Sequence, residues 1–437
     1  MAHTHGRSKA HRRRLPPHTN YFLRARWKAD DQVYSNAQAV DTRSEGVETG
    51  SLTITDIDGQ LEISSEVLTL TAPSSDGWGE IGFLSQGFPK VLGRAFMHHF
   101  NFSDATKYGV FGMNDANAFG SANGAFSIYW GNAMIIIRTD DGSTETPNPY
   151  TFSSSTDYWI AYVFGGVDAS ERPWSPRHAA GEPGAADSDY SYGMSLFIKG
   201  GAWNDWTLLW KSFRNNAGTL YATLESHSHA GTSREWVVSD KDFRELLKPV
   251  ALSTFYAVNG TSLDAYTPEE GNHWVERTGD WDIQAQQANP DGAAIATVTT
   301  VLSDVVIRAI VNGGAADQPA IVLRYSDTSN YWYVQADRAN NQFEIHEYNA
   351  TVDTVRASNA HTINNDTDYD IFVSANGQTI LGYIDAAYAD GITYGSAALN
   401  ETAKVHGIRA ENAAGLFNNF VIYRHNGGHY RRLDDLL

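Results

Sequence analysis

The 437-residue sequence contains no cysteine. That excludes a disulfide framework, a thiolate nucleophile and cysteine-ligated metal, and leaves the compartment open. No apolar run approaches the roughly 18–20 residues that carry a helix across a bilayer. The N-terminus lacks the apolar h-region of a secretory signal, so an extracellular role would be expected to use another route. Glycine-rich phosphate loops, Gly-x-Ser-x-Gly elbows and His-Glu-x-x-His segments are also missing. So is any Glu-x-Asp-x-x-Glu or Glu-x-Asp-x-Glu run, whose alternating positions would aim paired carboxylates into a groove for glycoside hydrolysis. Helical signal is sparse: Lys241–Lys248 (KDFRELLK), stopped by Pro249, is one of very few helix-like segments.

Basic residues are scarce everywhere except at the start. Net charge is −19, yet residues 1–28 hold eight basic side chains and no acidic one, leaving about −27 on the remainder. Phosphate repulsion argues against nucleic-acid binding by so acidic a body. The basic segment can hold nucleic acid, an acidic protein surface or an anionic membrane, or can be a solvated tail. Arg12, Arg13, Arg14, Arg24 and Arg26 are its candidate anchoring residues. Within it, Tyr21–Trp27 alternates apolar residues with Arg24 and Arg26, which suits either a docking peptide or a first strand of its own sheet.

What is abundant is aromatic and turn-forming: 12 Trp, 22 Tyr and 38 Gly. Short apolar runs separated by Gly, Asp, Asn and Ser recur at the spacing of antiparallel sheets. Two stretches 211 positions apart stand out. Thr156-Asp157-Tyr158 opens TDYWIAYVF and Thr367-Asp368-Tyr369 opens TDYDIFVSA, each preceded by an aromatic strand pair and followed by another apolar strand. Asp157 and Asp368 read as turn residues that hydrogen-bond the backbone, so the repeat reports duplicated architecture. The first copy carries an insertion at 165–191 rich in Gly, Pro, Ala and Asp, where the second has only Asn376-Gly377.

Residues 264–283 (DAYTPEEGNHWVERTGDWDI) place a Thr-Pro-x-x-Gly turn, Thr267–Gly271, before a Trp274-centred strand and the run Gly279-Asp280-Trp281-Asp282-Ile283. With the later strands up to Asn419–Arg424, this resembles the concanavalin-A-like, laminin-G-like jelly-roll superfamily over about 258–425. The resemblance implies an all-β chain of two tandem antiparallel jelly-roll β-sandwiches. The expected layout is a basic extended arm at 1–40, domain 1 at 41–250 with its inserted loop, domain 2 at 258–425, and a C-terminal tail at 426–437. Similar tandem modules occur in bacteriophage tail and head-decoration proteins, which implies a virion or extracellular surface location. The partners would then be assembly proteins held through the arm, and many copies of the chain.

Candidate binding residues follow from chemistry. Trp203-Asn204-Asp205, expected in a turn, and Trp174 in the inserted loop set aromatic rings beside polar groups, the combination that sugar recognition uses. Burial in the core is the competing reading for both tryptophans. Trp206, Leu208 and Trp210 share one strand face and read as core. Asp140, Asp141 and Asp327 at sheet turns are candidate Ca²⁺ ligands, the one cofactor considered, though Asp is also an ordinary turn former. Glu344 and His346 share a face with Glu347 opposite; Tyr331 and Tyr333 oppose Trp332, with the core-facing side open. His98-His99 and His227-Ser228-His229 lack an identifiable third ligand for a metal. The expectation is a non-enzymatic structural and adhesion protein binding cell-surface glycans. The alternatives are a polysaccharide-degrading glycosidase or lyase on the same fold, and a scaffold with no ligand.

Overall fold

In the computed structural model the described residues are 22–28, 38–41, 53–56, 61–64, 67–70, 81–84, 87–102, 108–116, 124–129, 134–138, 144–145, 152–175, 190–214, 218–227, 231–239, 242–315, 317–385, 390–425, 430 and 433–434. Their regular structure is almost entirely antiparallel strand, in sheets of nine, eight, nine and seven strands. The first two sheets draw on residues 22–239, the last two on residues 251–424, and among the described residues no ladder joins the two sets. The helix-like segment forms only a 3-10 turn, Arg244–Leu247, with Leu246 and Leu247 buried. The stretch after it is more than a connector, since Ala251–Ser253 pairs with residues 420–422 of the closing strand.

Phe22–Lys28 lies in the first sheet between Gln38–Asp41 and Gly231–Ser239, so it is a strand of its own fold and not part of an extended arm. Arg24 and Arg26 stand opposite Val237 and Glu235 in that ladder. Arg12, Arg13 and Arg14 lie outside the described residues.

The repeat is visible as the same construction built twice. Ala95–Phe102 pairs with Tyr158–Val167, and Val305–Asn312 pairs with Tyr369–Asn376. In the first copy Tyr158 Oη accepts from the Ser153 amide at 2.8 Å; in the second, Tyr369 Oη accepts from the Asn364 amide at 2.6 Å. Thr156 and Thr367 each donate to the carbonyl two residues back. Ser155 and Asp366 both take positive φ. Asp157 and Asp368 each accept from an Asn side chain on the neighbouring strand, Asn101 and Asn312, a cross-strand role beyond the expected turn chemistry.

Strands of the first sheet are not alternately exposed: Tyr158–Val167 is buried at nine of its ten positions. Continuous burial means cover on both faces. The first sheet shares one buried cluster with Met113, Leu220, Ala222 and Leu224 of the second sheet and with Val306, Phe372, Tyr383, Val421 and Tyr423 of the third. Trp210 lies 4.4 Å from the Phe372 ring and 5.8 Å from Tyr383, so it is core between the two halves. A register shift separates Leu208, opposite Phe197, from Trp210, opposite Leu196, so the expected single face of Trp206, Leu208 and Trp210 is broken although all three are buried. Arg308, 1% exposed, crosses that interface. Its guanidinium donates to both Asp370 oxygens, Nε at 2.7 Å, and to the Lys211 carbonyl, with Glu145 3.6 Å away. Glu145 also accepts from Trp210 Nε1 at 2.9 Å. The C-terminal residues Tyr430 and Leu433 are buried against the first half, and Asp434 accepts from Lys199 and Trp206.

Candidate functional site

The fourth sheet runs Trp274–Thr278, Ala294–Thr299, Val405–Ala410, Ala320–Asp327, Asn330–Asp337, Gln342–Asn349 and Val352–Ala360. Strand parity sends alternate residues to opposite faces. Trp332, Val334, Phe343 and Ile345 enter the core shared with the third sheet. Tyr331, Tyr333, Gln335, Glu344, His346 and Tyr348 therefore lie on the outward face, where Tyr331 opposes Tyr348, Tyr333 opposes His346 and Gln335 opposes Glu344. This resolves the open question about Tyr331-Trp332-Tyr333 and places Glu344 and His346 together. Glu347, on the other face, pairs with Arg356 at 2.8 Å.

An aromatic row forms the floor. Tyr331 stacks on Tyr348 at 4.9 Å and on Tyr325 at 5.8 Å, and Tyr333 stacks on the His346 ring at 4.5 Å with 15° between planes. The Arg409 guanidinium lies 4.6 Å from the Tyr333 centroid and donates to Glu411 at 3.1 Å; Arg277 lies 5.4 Å from Tyr325. The strand that carries Arg409 must lack a side chain at Gly407, because a Cβ there would sit 2.0 Å from the Ala296 carbonyl oxygen of the neighbouring strand. The floor is buried while the Asp353 side chain is 42% exposed and Val355 49% exposed at the rim.

His346 is the hub. Its Nδ1 is 3.0 Å from Asp353 and 3.0 Å from the Tyr333 hydroxyl; its Nε2 is 2.9 Å from Glu344 and 3.0 Å from Gln335. Tyr333 also donates to Asp353. Burial alone would lower the imidazole pKa, but the bonds to Asp353 and Glu344 outweigh it and hold it above the ordinary 6.5. Burial would raise Asp353, yet His346 and Tyr333 hold it below its ordinary 3.8. Only the imidazolium donates to both carboxylates, so the clamp exists while His346 is charged. A raised histidine pKa contributes stability that is complete below the unfolded value and lost as pH rises through the folded one; the lowered Asp353 pKa makes the same pair fail on the acid side. The melting temperature should therefore fall as pH rises from about 6 to about 9, and His346→Gln should flatten that alkaline limb. A wild-type limb no steeper than that of His346→Gln would rule the clamp out.

Elsewhere the structure corrects several expectations. Trp174 is 8% exposed and packs in the core of the first half, so it is not a ligand-facing residue. Trp203 begins the strand Trp203–Ser212 instead of sitting in a turn, and its ring packs on Phe152 and Tyr158. Asn204 and Asp205 are exposed beside it. Asp327 accepts from the Ser329 amide at 2.8 Å and from Asn330 at 2.9 and 3.0 Å. These are N–H donors closing a turn, which does not fit a Ca²⁺ ion seeking 6–8 oxygens. Asp140, Asp141 and His229 lie outside the described residues. Among the described residues no group of three His, Asp or Glu side chains converges as a metal site. His98 and His99 point to opposite faces: burial drives the His98 pKa down to about 3, while His99 stacks on Trp159.

The sequence matches no family model and no curated protein. Solved structures are similar in fold only. They include a carbohydrate-binding module, CBM66, from Bacillus subtilis, at 14% identity over 35% of this chain and 92% of its own, with a TM-score of 0.27. They also include galectin LEC-6 of Caenorhabditis elegans, at 13% identity over 31% and 94%, with a TM-score of 0.26. A protein of unknown function from Shewanella oneidensis, SO2946, is 16% identical over 52% and 89%, with a TM-score of 0.30. What the outward face can do chemically rests on its own geometry.

Proposed function

We propose that the outward face of the fourth sheet binds saccharide and that the chain acts as a non-enzymatic adhesion protein. The observation that carries this is the half-buried Tyr348 ring, backed by the buried Tyr331 and Tyr325 rings and lying opposite the exposed Asp353 carboxylate on the neighbouring strand. A sugar presents an apolar C–H face together with hydroxyls that both donate and accept, so it needs rings and mixed polar groups side by side. The pairing of sheets within each half supports two sandwich units, 41–250 and 258–425, with Phe22–Lys28 added to the first. Display in many copies on a virion or other extracellular surface is what the resemblance to tandem jelly-roll modules implies. Each site would be weak, and repetition would supply avidity.

A glycan array followed by titration calorimetry tests the reading. Tyr348→Ala removes a half-buried ring and should weaken binding about tenfold, about 1.4 kcal/mol, with little change in melting temperature. Incubation with bound polysaccharide should release no new reducing ends. Absence of binding to any glycan would defeat the proposal, and new reducing ends would favour the enzymatic alternative.

A further inference from the structure

We infer that the first half carries a second, separate saccharide site, built on the stacked pair Trp159 and His99. The two rings lie 4.3 Å apart with 13° between planes, on adjacent strands of the first sheet, directly opposite each other in register. Two residues along each strand, on the same face, stand Asp157 and Asn101, joined by a hydrogen bond of 3.2 Å, with His99 Nε2 3.7 Å from Asp157. The four residues form a two-by-two patch. Trp159 is half-buried, and the Asp157 side chain is 51% exposed. The imidazole fixes the indole in place, so little side-chain entropy remains to be lost on binding.

The duplication separates architecture from function here. At the matching positions the second half has Ile310 and Asn312 on one strand, Asp368 and Asp370 on the other, with Ile310 opposite Asp370. The Asn–Asp hydrogen bond is retained at 2.8 Å between Asn312 and Asp368. The ring pair is replaced, and Asp370 is committed to Arg308. The same pair of neighbouring strands therefore forms without either ring, and the fold does not require the stack. A half-exposed indole beside a carboxylate and an amide has the chemistry for the C–H face of a pyranose and its hydroxyls. Among the described residues the adjacent cation, Lys199, is held by Asp434 at 2.6 Å and is not free to recruit an acidic sugar. The ligand class is a neutral pyranoside.

Calorimetric titration of the full chain with a panel of neutral disaccharides, and with uronic-acid disaccharides for comparison, tests this. The expected result is two sites per chain, reduced to one by Trp159→Ala and to one by Tyr348→Ala. Asp157→Asn keeps an oxygen for Asn101 and should weaken only the first-half site, which guards against a folding defect in the alanine variant. A stoichiometry unchanged by Trp159→Ala, or a stronger response to the uronic-acid panel at this site, overturns the inference. Loss of all binding in Trp159→Ala, with none in Tyr348→Ala, would support this site while defeating the fourth-sheet proposal. No binding by wild type overturns both.

Discussion

Replacing Arg308 with methionine should destabilise the chain by about 3–5 kcal/mol, the range for removing one partner of a buried ion pair. Methionine keeps most of the volume, so the loss is electrostatic and not a cavity. Glu145 and Asp370 would be left facing each other in a dry interface, with the Lys211 carbonyl short of a donor. Burial already pushes Glu145 upward, opposed by the Arg308 charge, so the variant should also take up a proton at higher pH than wild type does. Arg214, 3.3 Å from Glu145 at the margin, recovers only part of the balance, since its side chain is 38% exposed and screened by water. Denaturant unfolding followed by tryptophan fluorescence measures the change. A loss under about 1 kcal/mol would mean that the two halves do not depend on this contact.

Trp332→Ala should cost about 3–5 kcal/mol, the range for truncating a buried tryptophan. The ring is fully buried, packs 5.6 Å from Tyr394, and donates to the Leu399 carbonyl at 2.8 Å. Its removal opens a cavity between the third and fourth sheets and orphans that carbonyl. The contrast with Tyr348→Ala is informative because both residues belong to the same hairpin. One change should collapse thermal stability, and the other should spare it and weaken glycan binding. Equal melting temperatures for the two variants would contradict the assignment of faces.

Much of this was legible from local pattern. Short aromatic runs with turn residues between them announced sheets, and the Thr-Asp-Tyr repeat marked a strand and turn whose hydrogen bonds recur in both halves. Parity placed Glu344 with His346 and set Tyr331 and Tyr333 opposite Trp332. The candidate site was less legible. Trp174 looked like a loop aromatic because Gly and Pro surround it, but packing draws its ring inward. Trp203 drew attention for its neighbours Asn204 and Asp205, while Trp159, inside the repeat itself, was passed over. A comparison of the two copies held the signal: Trp159 and His99 change where Asp157 and Asn101 stay. Arg409 and Asp353 join His346 and Tyr333 across four strands, and no local window contains all four.

By itself the sequence determined that the chain is all-β, that the Thr-Asp-Tyr strand recurs, and which residues alternate along most strands. These follow from a period of two and from turn chemistry, both of which act within a few residues. Only the tertiary structure decided which faces are covered. Nothing in their own strands marks Arg308 and Lys211, over which the first and third sheets close, and Tyr331 could have been core until Trp332 took that side. Coverage depends on contacts between distant residues, 97 positions apart for Arg308 and Lys211 and 67 for Trp332 and Leu399, and pattern within one strand does not carry that information.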